Sequence, residues 1–243
     1  MTAAALPAGD AAQRRELAAR IAAVRARIEA ACARAGRDPG AVTLIGVSKT
    51  RGAATIAAAH AAGLRDFGEN RVQEAAQKID TLRAAGISPA WHLVGHLQTN
   101  KVRAALGLFA ILHGVDSERL AAVISRTARR PARVLLQVNM AGEASKHGAD
   151  PAAAAALAER IARLPNVDLA GLMTVAPRAD NPEDVRPVFR RLRLLRDALG
   201  LRELSMGMTD DFEVAVQEGA TLVRVGRAIF GERLAAAGAE GEL

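Results

Sequence analysis

The sequence predicts an α/β chain whose strands close into a (β/α)8 TIM barrel, preceded by one extra helix. Eight short apolar runs rich in β-branched residues recur between residues 42 and 225, each followed by a polar or glycine turn and then a stretch with helical spacing. Strands alternating with helices pair in parallel, and eight such units in about 200 residues fit a closed barrel better than an open sheet. An open doubly wound sheet would show a glycine-rich fingerprint after its first strand, and VTLIGVSKTRG contains no GxGxxG.

Residues 11–35 place Leu17, Ile21, Val24 and Ile28 at helical spacing among Arg and Glu, an amphipathic helix that Gly36 and Pro39 stop. The strands are expected at 42–48, 65–68, 91–95, 110–115, 132–139, 167–173, 203–206 and 221–225. Helices are expected near 52–62, 71–84, 100–107, 117–129, 151–163, 183–199 and 210–218, with a last one from about 228 to 236. The second and seventh strands rest on the shortest patterns, RDFG and ELSM. No linker or low-complexity segment divides the chain, so 1–243 is expected to be a single domain, frayed at 1–10 and 235–243.

Composition narrows the function classes. Half of the 243 residues are apolar, enough for one large core, and no uncharged apolar stretch reaches the length of about 18 residues that a membrane span needs. The start lacks the basic and apolar regions of a signal peptide, and a single cysteine, Cys32, excludes an intramolecular disulfide framework or a Cys-rich zinc site. A cytoplasmic protein is the expectation. The net charge of +7 would suit nucleic acid, but the cations are scattered among 26 anions and aromatic residues are only 2%, so the base-stacking signature is missing. Of the 33 basic residues only Lys49, Lys78, Lys101 and Lys146 are lysines. Where composition drifts so far toward Arg, each remaining lysine is a position to examine. Tyr is absent altogether.

In such a barrel, chemistry sits at the C-terminal ends of the strands. The residues there are Lys49, Glu69 and Asn70, His92 and His96, Asp116 and Ser117, Asn139, Met173 and Thr174, Ser205 to Thr209, and Arg224 to Arg227. Loops are polar anyway, so the set argues more than any member. Lys49 closes the most hydrophobic strand; a lysine there often only snorkels, but of the cationic side chains Lys alone can lose a proton and attack a carbonyl as an amine. The turns at Gly207 and Gly226 follow strands 7 and 8, the usual phosphate site of such barrels, where helix N-termini present free N–H donors.

Other motifs argue for less. His92 and His96 are four apart but bracket a strand end, with no third ligand adjoining, so no metal site is expected. No GxSxG elbow surrounds Ser48, Ser117 or Ser205. Arg190, Arg191, Arg193 and Arg196 on one helix read as a solvated face.

Several motifs together resemble the pyridoxal 5'-phosphate (PLP) homeostasis proteins, single-domain relatives of the alanine racemase barrel. They are Val47-Ser48-Lys49-Thr50, FGENRVQE from Phe67, WHLVGHLQTNK from Trp91, Val115-Asp116-Ser117, QVNMAGEASKHG from Gln137, Gly171-Leu172-Met173-Thr174, LSMGMTDDFE from Leu204 and VRVGRAIFGER from Val223. The resemblance covers residues 40–233 and implies a PLP barrel of fold type III in which Lys49 forms a Schiff base with the cofactor aldehyde. It further implies that Ser205 and the Gly226-Arg227 backbone hold the phosphate, that Asn70 lies near the cofactor, and that Arg224 sits by the pyridine nitrogen. Met173, with Glu69, His92 and Asn139, would line the pocket. Many relatives carry Thr or Ser where this chain has Arg227, which leaves the backbone N–H and, through its charge, the guanidinium.

The implied role is cofactor binding and supply to apo-enzymes, with PLP and those enzymes as partners, a monomer as the expected state, and no nucleic acid or membrane. No catalytic residue is assigned, because a two-base racemase needs a second acid/base group opposite the lysine, commonly Tyr. The alternative, a PLP-dependent amino-acid racemase, would need His, Cys or Ser in that place.

Overall fold

The computed structural model describes residues 11–142 and 147–232. Lys146 and the expected helical residues beyond 232 lie outside the described residues.

Eight parallel strands close into a barrel in chain order, as the alternating pattern predicts. They are β1 (Thr43–Val47), β2 (Asp66–Glu69), β3 (Ala90–Leu93), β4 (Ile111–Val115), β5 (Ala132–Gln137), β6 (Val167–Met173), β7 (Glu203–Ser205) and β8 (Leu222–Val225). The ring is closed by β1 against β8, with Ile45 level with Arg224. The helices are α1 (Ala11–Arg34), α2 (Ala53–Ala61), α3 (Val72–Ala84), α4 (Val102–Leu108), α5 (Glu118–Thr127), α6 (Pro151–Ala162), α7 (Arg186–Ala198), α8 (Phe212–Gln217) and α9 (Arg227–Phe230). Short 3-10 turns precede α4 and α7, so both begin later than the periodicity suggests.

α1 is the extra helix. Its stripe of Leu17, Ile21, Val24 and Ile28 is buried, and the helix packs against α2, α8 and α9 outside the strand ring. Gly36, at φ 64, ends it in the left-handed conformation glycine adopts without strain. Cys32 is fully buried, and burial raises its thiol pKa, so it behaves as a small core residue.

Two apolar layers follow from strand alternation. Outward residues such as Phe67, Val134, Leu136, Leu172, Leu204 and Val223 pack under the helices. Inward residues Ile45, Ile111, Leu135, Ala170, Met173 and Leu222 fill the barrel. The rest of that interior is polar, and this polar column positions the site.

Candidate functional site

Five strands each contribute one inward polar side chain to a continuous hydrogen-bonded chain. Arg224 on β8 donates from Nη1 to Ser205 Oγ on β7. Ser205 Oγ lies 2.8 Å from His113 Nδ1 on β4, His113 Nε2 lies 3.0 Å from His92 Nδ1 on β3, and His92 Nε2 lies 3.0 Å from Asp66 Oδ1 on β2. The direction of the chain is fixed at its ends. Arg can only donate and an ionised Asp can only accept, so Ser205 Oγ accepts from Arg224 and His92 Nε2 donates to Asp66, while the two contacts between them follow the imidazole tautomers. Full burial drives the His113 pKa well below its ordinary value and keeps this imidazole neutral, with the neighbouring His92 and Arg224 adding to the shift.

Arg224 is 5% exposed, and burial lowers its pKa to about 10 against the opposing charge of Asp211. Its second amino group donates to the Thr174 carbonyl at 2.8 Å. Among the described residues no carboxylate comes within ion-pair distance of it, so this buried cation is held by neutral acceptors. Its surroundings suit a ligand that brings an acceptor or negative charge to the barrel mouth.

The loops after β7 and β8 meet beside it. Gly207, at φ 90, turns the β7 loop where a Cβ would stand 2.6 Å from the Ala215 Cβ. This close approach puts Thr209 by the start of α9, its Oγ1 3.5 Å from the Ala228 N–H. The N–H groups of Gly226 and Arg227 donate to no acceptor among the described residues. Gly226 stands against the end of β1, where a Cβ would be 3.5 Å from the Val47 carbonyl, so these donors lie two residues from Lys49. A cavity of about 340 Å³, lined in part by Val175, Ala176, Met208, Asp211 and Arg227, opens beside them.

The structure brings Lys49, Arg224, Gly226 and the Arg227 backbone to one end of the barrel, with Met173 buried in the interior layer and half-buried Asn70 following β2. It also gives several of these side chains partners within the protein. Ser205 is fully buried with His113 and Arg224 as hydrogen-bond partners, while Thr209 Oγ1 stands at the helix start. The Arg227 guanidinium pairs with Asp210 and Glu232 at the surface, which spends the charge expected to face an anion. Glu69 does not line the mouth: alternation along β2 turns it outward to Lys78 on α3, 2.8 Å away. His92 lies within the barrel, whereas His96 is exposed and pairs with Asp116 at 3.3 Å. The ligand atoms of His96, Asp116 and His147 fall within 4.8 Å of one another, a grouping no spacing in the chain reveals.

Sequence reasoning missed His113, Asp66 and Glu74, and singled out Lys78 without giving it a role. His113 had a usable signal: it stands two residues after Ile111 in an apolar strand and so shares its inward face. Lys78 had another, as a lysine retained in an Arg-rich chain.

The chain matches the family model described as alanine racemase, N-terminal domain, over residues 20–234. It is 48% identical over 224 residues to a pyridoxal phosphate homeostasis protein of Pseudomonas aeruginosa, covering 89% of this chain and 96% of that one. It is 45% identical over 223 residues to one of Aquifex aeolicus, covering 88% and 97%. The solved structure of PipY from Synechococcus elongatus with PLP bound is similar at a TM-score of 0.77 and 39% identity, covering 88% of this chain and all of that one. Sequence and barrel thus agree over nearly the same span, and this chain belongs to the pyridoxal phosphate homeostasis protein family, built on the alanine racemase N-terminal domain.

Proposed function

We propose that this protein binds PLP through Lys49, holds it in reserve and supplies it to apo-enzymes in the cytoplasm, without turnover of its own. The observation that carries the reading is the buried Arg224, without an ion-pair partner among the described residues, at the same barrel end as Lys49 and the N–H groups at the start of α9 that find no acceptor among the described residues. That set matches a ligand with an aldehyde, a ring acceptor and a phosphate. PLP, when bound, supplies an aldehyde reactive toward amines. Lys49 would provide the amine, the Gly226 and Arg227 N–H groups with the Thr209 hydroxyl would hold the phosphate, and Met173 and Asn70 would border the ring. Arg224, kept in place by Ser205 and Thr174, would face the ring nitrogen.

A permanent cation there disfavours a proton on the ring and so weakens any build-up of negative charge at an attached amino acid. The sequence contains no Tyr to act opposite the lysine. Both features support a carrier over a racemase. The single buried cysteine suits a reducing compartment. Borohydride reduction of the purified, PLP-loaded protein followed by peptide mapping tests the assignment: the phosphopyridoxyl group is expected on Lys49, and finding it on Lys78, Lys101 or Lys146 instead would overturn it.

A further inference from the structure

We propose that Lys78, with Glu69 and Glu74, is a positioning unit that fixes the backbone on both sides of Lys49 and so sets where its amine meets the cofactor. The inference rests on the PLP reading above and deepens it. Lys78 is 9% exposed, on the face of α3 that packs behind the end of β1. Its ammonium meets three acceptors: the Ser48 carbonyl at 3.0 Å, Glu69 Oε1 at 2.8 Å and Glu74 Oε1 at 2.7 Å. All three of its N–H donors are thereby used.

The two carboxylates reach the residues that flank Lys49. Ser48 Oγ donates to Glu69 Oε1 at 2.7 Å, and the Thr50 N–H donates to Glu74 Oε1 at 2.7 Å. Residue 48 is therefore held through its side chain and its carbonyl, and residue 50 through its backbone N–H. With Ser48 turned outward to α3, alternation sends Lys49 to the opposite face, toward the mouth.

Thr50 shows what this hold achieves. Its φ is 66, a left-handed conformation that a β-branched residue adopts only when its surroundings impose it. The cluster is also an uneconomical way to gain stability. Glu69 Oε2 is buried and finds no hydrogen-bond partner among the described residues, and buried ion pairs are often replaceable by apolar side chains without loss. A strained residue, a buried lysine and an orphaned carboxylate oxygen converge on the segment that carries the attachment amine. What they provide is geometry, and covalent attachment to a fixed pocket depends on geometry more steeply than folding does.

The test compares wild type with Glu74→Ala, Glu74→Gln, Lys78→Met and a Thr50→Gly/Glu74→Ala double variant. Each apo-protein is titrated with PLP while the visible band and the fraction trapped on Lys49 by borohydride are followed, and its thermal midpoint is measured separately. Glu74→Ala and Lys78→Met are expected to lose affinity on the order of tenfold and to move the visible band. Glu74→Gln keeps an acceptor for Thr50 and should lose less. Thr50→Gly in the Glu74→Ala background should recover most of the loss, because glycine adopts the left-handed conformation unaided. Should Lys78→Met not fold, the more exposed Glu74 and Thr50 still decide the matter. Wild-type affinity and an unmoved band in Glu74→Ala, or no recovery in the double variant, would overturn the positioning role. A wild-type protein that traps no PLP on Lys49 would instead overturn the cofactor reading.

Discussion

Acid should destabilise this protein through His113 as the pH falls below the ordinary imidazole range. The buried imidazole stays neutral in the folded chain, because full burial disfavours its charged form and the neighbouring His92 and Arg224 add to that effect. In the unfolded chain it titrates near the ordinary value of about 6.5. Below that pH the unfolded state binds a proton that the folded state refuses, so stability present above pH 6.5 is lost as the pH falls. Between the unfolded value and the lower folded one the slope approaches about 1.4 kcal/mol per pH unit, which is sizeable against an ordinary domain's 5–15 kcal/mol. Glu74 and Glu218, held below the usual carboxylate range because their hydrogen bonds to Lys78 and to Arg190 and Arg186 outweigh burial, act in the same direction only at lower pH. Urea unfolding at several pH values between 7 and 5, on wild type and on His113→Gln, isolates the effect. Burial also lowers the pKa of His60 and raises those of Glu69 and Asp211, which act in opposite directions, but all three are present in both proteins and cancel in the difference. The variant should be less stable at pH 7 and flatter toward pH 5. An equal slope in wild type and variant would refute a neutral buried His113.

Ser205→Ala should act on folding as much as on the cofactor. It strips partners from both Arg224 and His113, two buried groups whose unmet hydrogen bonds cost roughly 1–3 kcal/mol each, readable as a fall in the thermal midpoint of the apo-protein. Thr209→Ala and a bulky replacement of Gly226 should instead leave the apo-fold near wild type and weaken PLP binding roughly tenfold to a hundredfold by equilibrium titration. Unchanged affinity in both would place the phosphate elsewhere. With amino acids, the loaded protein should show negligible deuterium exchange at the α-carbon, yet transfer PLP to an added apo-enzyme. Exchange with inversion at about 1 per second or faster would reach the ordinary enzyme range and make it a racemase.

The alternation of strands and helices was legible because it is a local property. A period of two against 3.6, punctuated by Gly and Pro, located all eight strands within two residues at each boundary, and even the brief β2 and β7 pair in the ring. That Lys49, the Gly226 turn and Arg224 stand at strand ends was legible for a related reason: strand ends can be counted along the chain, and a barrel's chemistry lies there. Which hydroxyl serves which partner was not, since Ser205 and Thr209 lie four residues apart on one loop. Only the inward turn of β7 toward His113 commits the first, and only the meeting of two loops at α9 brings the second to the helix start. The column from Arg224 to Asp66 joins five strands, and the hold on Lys49 joins β2 and α3 to the end of β1. Contacts of that kind arise when separate segments pack together, so sequence spacing alone carries no trace of them, and closure of the barrel decides them.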